Sequence, residues 1–359
     1  MRGKAAVITR MATCLVSPKA IYLMTTNDIR IYRRAMIMET FATVDKTTIV
    51  NSRGVKYIDF RNRLVPKYGR AWVEIFSGYF ALAMVLLITV YAQNVNILLG
   101  LLTIPIGGLL VGYIVASLHL FIHEASHYHL AADKKRNDLL SNIVLGLLVG
   151  MDVDFYRTVH FAHHRLIGTA KDTEKSYFDA ISWRFMIETL SGIRVLKVIA
   201  HRHENIKVNE GHGVGSGIIR KNNLIFFVAA GLNLLLVIGL VLTGYWQAAV
   251  VWFFGMGSAF PFFASFRQIL EHRRVGALAT TNYHEVDHGA AHRMFGDGLI
   301  GSTMGSAGFN RHLIHHWDPQ VSYTRLKDVE EFLYDTPLAE ELKSAQTTYF
   351  KTFIGLLNK

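Results

Sequence analysis

Two long stretches of the chain contain no formally charged side chain. Residues 75–122 are 48 positions without Lys, Arg, Asp or Glu, and residues 222–266 are another 45. A helix needs about 20 apolar residues to cross the hydrocarbon core of a bilayer, so each stretch has room for two crossings. We therefore predict four transmembrane helices in two hairpins, at about residues 73–92, 97–120, 223–243 and 247–266.

The rest of the sequence divides around these stretches. Hydrophobic residues make up 51% of the chain and charged residues only 18%, which favours a membrane protein over helices buried in a soluble core. We predict an N-terminal cytoplasmic region at residues 1–72, a membrane domain at 73–326 and C-terminal amphipathic helices at 327–359. Residues 139–149 are too few to span, and we expect them to form an interfacial helix on the cytoplasmic side.

The basic residues indicate which side of the membrane each segment occupies. All 38 Lys and Arg residues lie outside the two predicted turns, residues 93–96 and 243–247. Cytoplasmic segments carry the excess of positive charge in membrane proteins, so both termini and the central segment are expected in the cytoplasm. A net charge of +11 also occurs in nucleic-acid-binding proteins, but the sequence has no zinc-finger spacing and no aromatic-basic strand motif. We expect no nucleic acid partner.

Histidine is unusually frequent, with 17 residues, whereas cysteine occurs once, as Cys14. A metal site in this chain must therefore use nitrogen and oxygen ligands. In the two clusters that end in adjacent histidines, we expect the residues at i and i+3 to share a helix face. The next histidine should point about 100° away, so that one cluster reaches two metals. The predicted metal ligands are His123, His127, His160, His163, His164, His272, His312, His315 and His316.

The order and spacing of these histidines resemble the membrane fatty acid desaturase and hydroxylase superfamily. Residues 123–127, 160–164 and 312–316 are similar to its three histidine boxes. The resemblance implies an all-α membrane fold, in which a cytoplasmic helical cap holds a site for two Fe2+ ions. It also implies that His272 completes the ligand set, and that Gln268, four positions earlier, contacts one metal through water.

The resemblance covers about residues 75–326 and implies a dioxygen-dependent fatty acyl desaturase. Its substrate would be a lipid acyl chain or an acyl thioester, reached among membrane lipids. Electrons would come from an external donor of the ferredoxin, rubredoxin or cytochrome type. The nearest alternative is a lipid or carotenoid hydroxylase or ketolase on the same scaffold. Further alternatives are a zinc-dependent membrane hydrolase, a metal transporter and a scaffold protein with degenerate boxes.

Other residues beside the boxes are candidates for supporting roles. A carboxylate can orient a metal-bound imidazole by accepting its second ring N–H. We expect at least one of four nearby carboxylates to do so: Glu124, Asp154, Glu271 and Asp318. The aromatic side chains of Trp183, Phe185 and residues 260–266 are candidates to line an acyl channel, although lipid contact is the commoner fate of such residues.

The remaining histidines are expected to lie outside the metal site. His119 is predicted to be buried and hydrogen-bonded. Four others fall in polar stretches and are expected to be solvated: His129, His201, His203 and His212. Before the third box the sequence departs from the superfamily pattern, with a glycine-rich stretch at 296–308 and three histidines at intervals of four. We expect these three on a solvated helix face: His284, His288 and His292.

Overall fold

A computed structural model describes residue 41 and residues 44–194 and 216–357. The regular secondary structure of these residues is helical. The α-helices are α1 (Tyr57–Arg61), α2 (Tyr68–Val95), α3 (Ile97–Ser126), α4 (Lys134–Ser141), α5 (Leu147–Val149), α6 (Val153–Leu166), α7 (Trp183–Leu190), α8 (Ser216–Leu242), α9 (Trp246–Phe254), α10 (Phe260–His272), α11 (Leu299–Met304), α12 (His312–Trp317), α13 (Leu326–Tyr334), α14 (Ala339–Ala345) and α15 (Tyr349–Leu357). Short 3-10 segments cover Lys46–Thr48, Lys175–Phe178, Phe309–Arg311 and Tyr323–Arg325, and π-helical turns cover Asn142–Gly146 and Gly255–Ala259.

Among the described residues, four helices are long and apolar enough to cross a membrane. They are α2, α3, most of α8, and the continuous helix formed by α9, its π-helical turn and α10. Many of their apolar side chains, such as Leu87, Leu102 and Leu235, are exposed, as side chains that face lipid would be. The chain is therefore a membrane protein. The segment Lys134–Val149 and helix α6 are bent by 85° relative to each other. They would add a fifth crossing only if the two together formed one broken span.

The two connections between the long helices lie side by side. Asn96 alone joins α2 to α3, and its side chain accepts a hydrogen bond from Leu98 N at 2.8 Å. The second connection contains Gly244, whose φ of 86° suits glycine. Its carbonyl accepts a hydrogen bond from Gln93 Nε2 at 2.7 Å, while Gln247 Nε2 donates to Ile97 O at 3.1 Å. The histidine-bearing ends of α3 and α10 lie at the opposite ends of these helices.

The segment between α10 and α11 is not helical, so the predicted helix face for its three histidines is wrong. Its backbone groups bond to other parts of the chain instead. Gly289 N donates to Gly168 O at 2.7 Å, and Ala291 N donates to His272 O at 2.9 Å. Gly289 also has a φ of 65°, which is incompatible with a right-handed helix. This segment is therefore a loop that covers the end of α10.

Helix α3 packs very closely against the π-helical turn between α9 and α10. A Cβ atom added at Gly112 would collide with Ala259 and with the backbone nitrogen of Phe260. Glycine at such a crossing lets two membrane helices approach to backbone contact. The same turn interrupts the fourth predicted span, which the sequence alone described as a single apolar run.

Replacing Gly112 with valine is expected to destabilise this crossing. Overpacking typically costs about 1–3 kcal/mol, and here the added atoms meet backbone that cannot rotate away. The matched control is Gly231→Val in α8, where nothing lies within 4 Å of an added Cβ. Thermal unfolding of the detergent-solubilised variants measures the difference. Equal midpoints for the two variants would argue against backbone contact at Gly112.

Candidate metal centre

Five histidines from three helices form the first histidine set. Helix α3 carries the first near its end, the second is the residue that directly follows this helix, α6 carries two more, and α12 carries the fifth. The ligand atoms of these residues all lie within 4.8 Å of one another: His123, His127, His160, His164 and His315. Successive Nε2 atoms approach to 3.1 Å between His127 and His160, to 2.9 Å between His160 and His164, and to 3.2 Å between His164 and His315.

The second histidine set consists of the other four predicted ligands. His163, His272 and His316 offer ligand atoms within 4.8 Å of one another. His312 joins them, because its Nε2 lies 2.9 Å from Nε2 of His272 and 3.1 Å from Nε2 of His316. The Glu271 carboxylate borders this set, with Oε2 4.0 Å from His312 Nε2. The structure thus brings all nine predicted histidines together in two neighbouring sets.

The way in which the boxes divide between the sets differs from the prediction. In the second box, His160 and His164 belong to the first set, whereas His163 belongs to the second. In the third box, His312 and His316 lie together and His315 joins the other set. A helix turns about 100° per residue, so positions i and i+4 differ by about 40° and positions i and i+3 by about 60°. The pairing therefore follows i and i+4, and the expected pairing of i with i+3 is wrong.

The nitrogen positions in both sets fit bound metal ions. A metal with imidazole nitrogens at about 2.1 Å places neighbouring ligands of an octahedron about 3.0 Å apart. The observed Nε2···Nε2 separations of 2.9 to 3.2 Å match that edge. Both ring nitrogens of His123 are buried without a hydrogen-bond partner among the described residues. Leaving buried polar atoms unpaired costs free energy in a folded protein, and a bound metal ion would give one of these two nitrogens a partner.

Burial keeps most of these imidazoles in the neutral form that binds metals. The pKa values of His127, His164, His315 and His316 lie well below the ordinary value, first because of burial and then because of neighbouring histidines. A neutral imidazole has a free lone pair on one nitrogen, so metal binding does not first have to remove a proton from that nitrogen.

Asp172 is the carboxylate that orients His163 in the second set. Its oxygens accept from Nδ1 of His163 at 2.8 and 3.0 Å and from the Tyr177 hydroxyl at 2.6 Å, and the side chain is fully buried. Burial lowers the pKa of His163, but Asp172 and Glu174 outweigh it and raise the pKa to about 9. Since a carboxylate only accepts, Nδ1 carries a proton, and a metal would bind at Nε2 in place of the second proton that the raised pKa favours there.

Glu174 has the same role in the first set. Its Oε1 accepts from Nδ1 of His160 at 3.0 Å, and its Oε2 accepts from Gln268 Nε2 at 2.7 Å. Burial raises the pKa of Glu174, but His163 and His160 outweigh it and hold the pKa at about 2. Neither carboxylate was predicted from the sequence, because neither lies next to a box. Asp172 follows His163 by 9 positions, and Glu174 follows His160 by 14.

The four carboxylates named from the sequence divide into two near the centre and two away from it. Glu124 Oε1 lies 3.5 Å from His123 Nδ1, and Oε2 accepts from Tyr323 N at 3.1 Å. Glu271 pairs with Arg267 and borders the second set. Two others turn away from the ring nitrogens: Asp154 binds Arg157 and Lys221, and Asp318 accepts from the Tyr57 hydroxyl at 2.9 Å.

The structure also bears on the predictions for the remaining histidines and for the aromatic residues. His129 is buried and binds Glu124 at 3.1 Å, so the prediction that it is solvated is wrong. His119 is half-buried, and its Nδ1 has no hydrogen-bond partner among the described residues, so the prediction that it is buried and hydrogen-bonded is not confirmed. His201, His203 and His212 lie outside the described residues. Of the aromatic channel candidates, Trp183 is exposed, whereas Phe185 is buried and lies near Phe262.

A small cavity lies between the two histidine sets. Its volume is about 10 Å³, roughly what the centre of one water molecule needs. Its lining includes His123 and His272, one from each set, together with Tyr156, Arg267 and Phe309. A small molecule in this space would contact both sets at once.

Comparison with known proteins agrees with this site. A family model described as fatty acid desaturase matches residues 99–349, which is more than half of the chain and includes every histidine of both sets. Searches of the curated proteins and of the solved structures found no match. With the family match and the two histidine sets taken together, the chain belongs to the fatty acid desaturase family.

Proposed function

We propose that the chain is a membrane di-iron enzyme that uses dioxygen to introduce a double bond into a fatty acyl chain. The observation that carries this proposal is the division of nine imidazoles into two adjacent sets. Neighbouring residues serve different sets, as His163 and His164 do, and their ring centroids lie 6.0 Å apart. Such a division suits two metal ions held side by side and acting on one substrate.

Iron is the metal that we infer for both sets. Imidazole binds iron, zinc and copper, but zinc has no redox chemistry, whereas the proposed reaction with dioxygen consumes electrons. When bound, the iron pair supplies the activation of dioxygen and the electron transfer that the side chains cannot provide. The protein contributes the ligands, excludes water by burying them, and keeps the ring protons of His160 and His163 on Nδ1 through Glu174 and Asp172.

The proposed reaction removes one hydrogen from each of two adjacent methylene groups of a lipid acyl chain or acyl thioester. The hydrogens leave in water formed from dioxygen, which also requires two electrons and two protons. The electrons would come from an external ferredoxin-, rubredoxin- or cytochrome-type donor. Half-buried His164 is followed by exposed Arg165, and Lys171 is also exposed nearby in the sequence. This basic surface beside the first set supports an acidic donor.

The proposed orientation places the histidine sets and both termini in the cytoplasm. The connections at Asn96 and Gly244 lie at the opposite ends of the long helices and carry no basic residue. Lys134 and Arg157, by contrast, are at the histidine end, where both contact the ring of Tyr128. The positive-inside tendency supports this orientation.

Lipid profiling tests the proposal directly. A host that expresses the chain should accumulate acyl chains with one additional double bond, whereas the same host with the His316→Ala variant should not. Mass spectrometry of the lipids, with iron and zinc quantified in the purified protein, provides the readout. Products that gain oxygen but no double bond would instead support a hydroxylase or ketolase. Protein that contains zinc and no iron would support a hydrolase.

A further inference from the structure

His292 has an unusual environment for a histidine outside the nine predicted ligands. It is 6% exposed, and neither ring nitrogen has a hydrogen-bond partner among the described residues. Its ring centroid lies 4.6 Å from that of His316 and 5.8 Å from that of His272, both in the second set. A buried imidazole with two unpaired nitrogens needs a partner, and the described residues do not provide one.

The backbone on both sides of His292 is firmly held at the metal centre. Ala291 N donates to His272 O at 2.9 Å, and Arg293 O accepts from Leu313 N at 3.1 Å. The Arg293 guanidinium also donates to Leu270 O at 2.9 Å and to Glu271 O at 3.0 Å. These bonds tie residue 292 between the end of α10 and the start of α12. These hydrogen bonds hold the loop so that the His292 ring lies beside the second set.

The two sets also differ in their number of ligands. The first contains five histidines and the second four. We propose that His292 is a tenth histidine of the metal centre, which contacts the metal of the second set through one bound water or hydroxide. A direct bond is not what the geometry supports, because His292 is absent from the groups whose ligand atoms lie within 4.8 Å of one another. The inference rests on the metal centre of the proposed function.

The test compares metal retention in purified wild-type protein, His292→Ala, His292→Gln and the control His284→Ala. His284 is an exposed histidine of the same loop. Loss of an outer partner of a metal typically weakens affinity about 10–100-fold. We therefore expect His292→Ala to release one of its two iron ions to a chelator at least about tenfold faster than wild type. Its Mössbauer spectrum should change for that one iron. His292→Gln keeps a group that binds water and should recover part of the retention.

The controls separate the possible failures. Wild-type release rates and spectra in His292→Ala would overturn the role of His292 and leave the two-iron centre intact. Wild-type protein that never binds two metal ions would overturn the centre itself, and this inference with it. If His292→Ala does not yield monodisperse protein, the His292→Gln variant provides the test. Release of one iron that is faster than in wild type, with wild-type release in His284→Ala, supports the proposal. Release from His292→Gln at the wild-type rate overturns it.

Discussion

Replacing His316 with alanine is expected to lower activity by more than about a hundredfold, while the chain still inserts into the membrane. Loss of an outer partner alone costs about 10–100-fold in metal affinity, so loss of a direct ligand should cost more. Nε2 of His316 lies 3.1 Å from Nε2 of His312, and its ring centroid lies 4.9 Å from that of His272. Three histidines would remain in the second set, too few to hold its metal as tightly.

Membrane insertion should survive this change, because His316 lies in α12 and outside the four apolar helices. His163→Ala removes another proposed ligand of the same set and should have the same effect. His284→Ala serves as the control, since His284 is exposed and belongs to neither set. Product formation, iron content and the amount of protein in the membrane fraction are the measurements. Wild-type activity in both the His163→Ala and the His316→Ala variants would show that the proposed site is wrong.

The apolar helices were predictable because the bilayer imposes a simple requirement on sequence. A crossing segment must be apolar over about 20 residues, whatever it packs against. The structure accordingly has four apolar helices where the charge-free stretches lie. The π-helical turn Gly255–Ala259 was not predictable in this way. It lies where Gly112 of another helix approaches the backbone closely, and hydropathy does not report such contacts.

The histidine positions were predictable for a different reason. Histidines repeated at intervals of three and four lie near one another on any helix, so the boxes can be recognised in the sequence as candidate metal sites. Their partners on other elements do not follow from one helix alone. His160 pairs with His164 at i+4 on its own helix, but that Asp172 binds His163 and that α10 brings His272 beside it could be seen only in the structure.

The loop between α10 and α11 shows the limit of local patterns most clearly. His284, His288 and His292 have the spacing of a helix face, but the loop takes its hydrogen bonds from distant segments. Two of the three histidines are buried as a result. The spacing of Asp172 and Glu174 after the second box was a usable signal, because a carboxylate pair soon after a ligand-bearing helix can fold back onto it. Only contacts distant in sequence show that it does.

The second large effect is expected at Asp172. Replacing it with alanine should weaken metal binding to the second set about 10–100-fold, the usual cost of losing an outer carboxylate partner. The change would leave Nδ1–H of His163 and the Tyr177 hydroxyl without their acceptor in a fully buried site. His163 would then be free to rotate or to change tautomer, and its Nε2 lone pair would no longer be held toward the metal.

Asp172→Asn provides the graded comparison, and Asp179→Asn the control. Asparagine retains an oxygen that accepts from His163 but lacks the negative charge, so its effect should be smaller than that of alanine. Asp179 lies in the same segment, yet its carboxylate binds Arg194 at 2.7 Å and no histidine among the described residues. Metal titration of the apoproteins measures the three affinities. If Asp172→Ala and Asp179→Asn bound metal equally well, the Asp172 carboxylate would have no part in holding His163 to the metal.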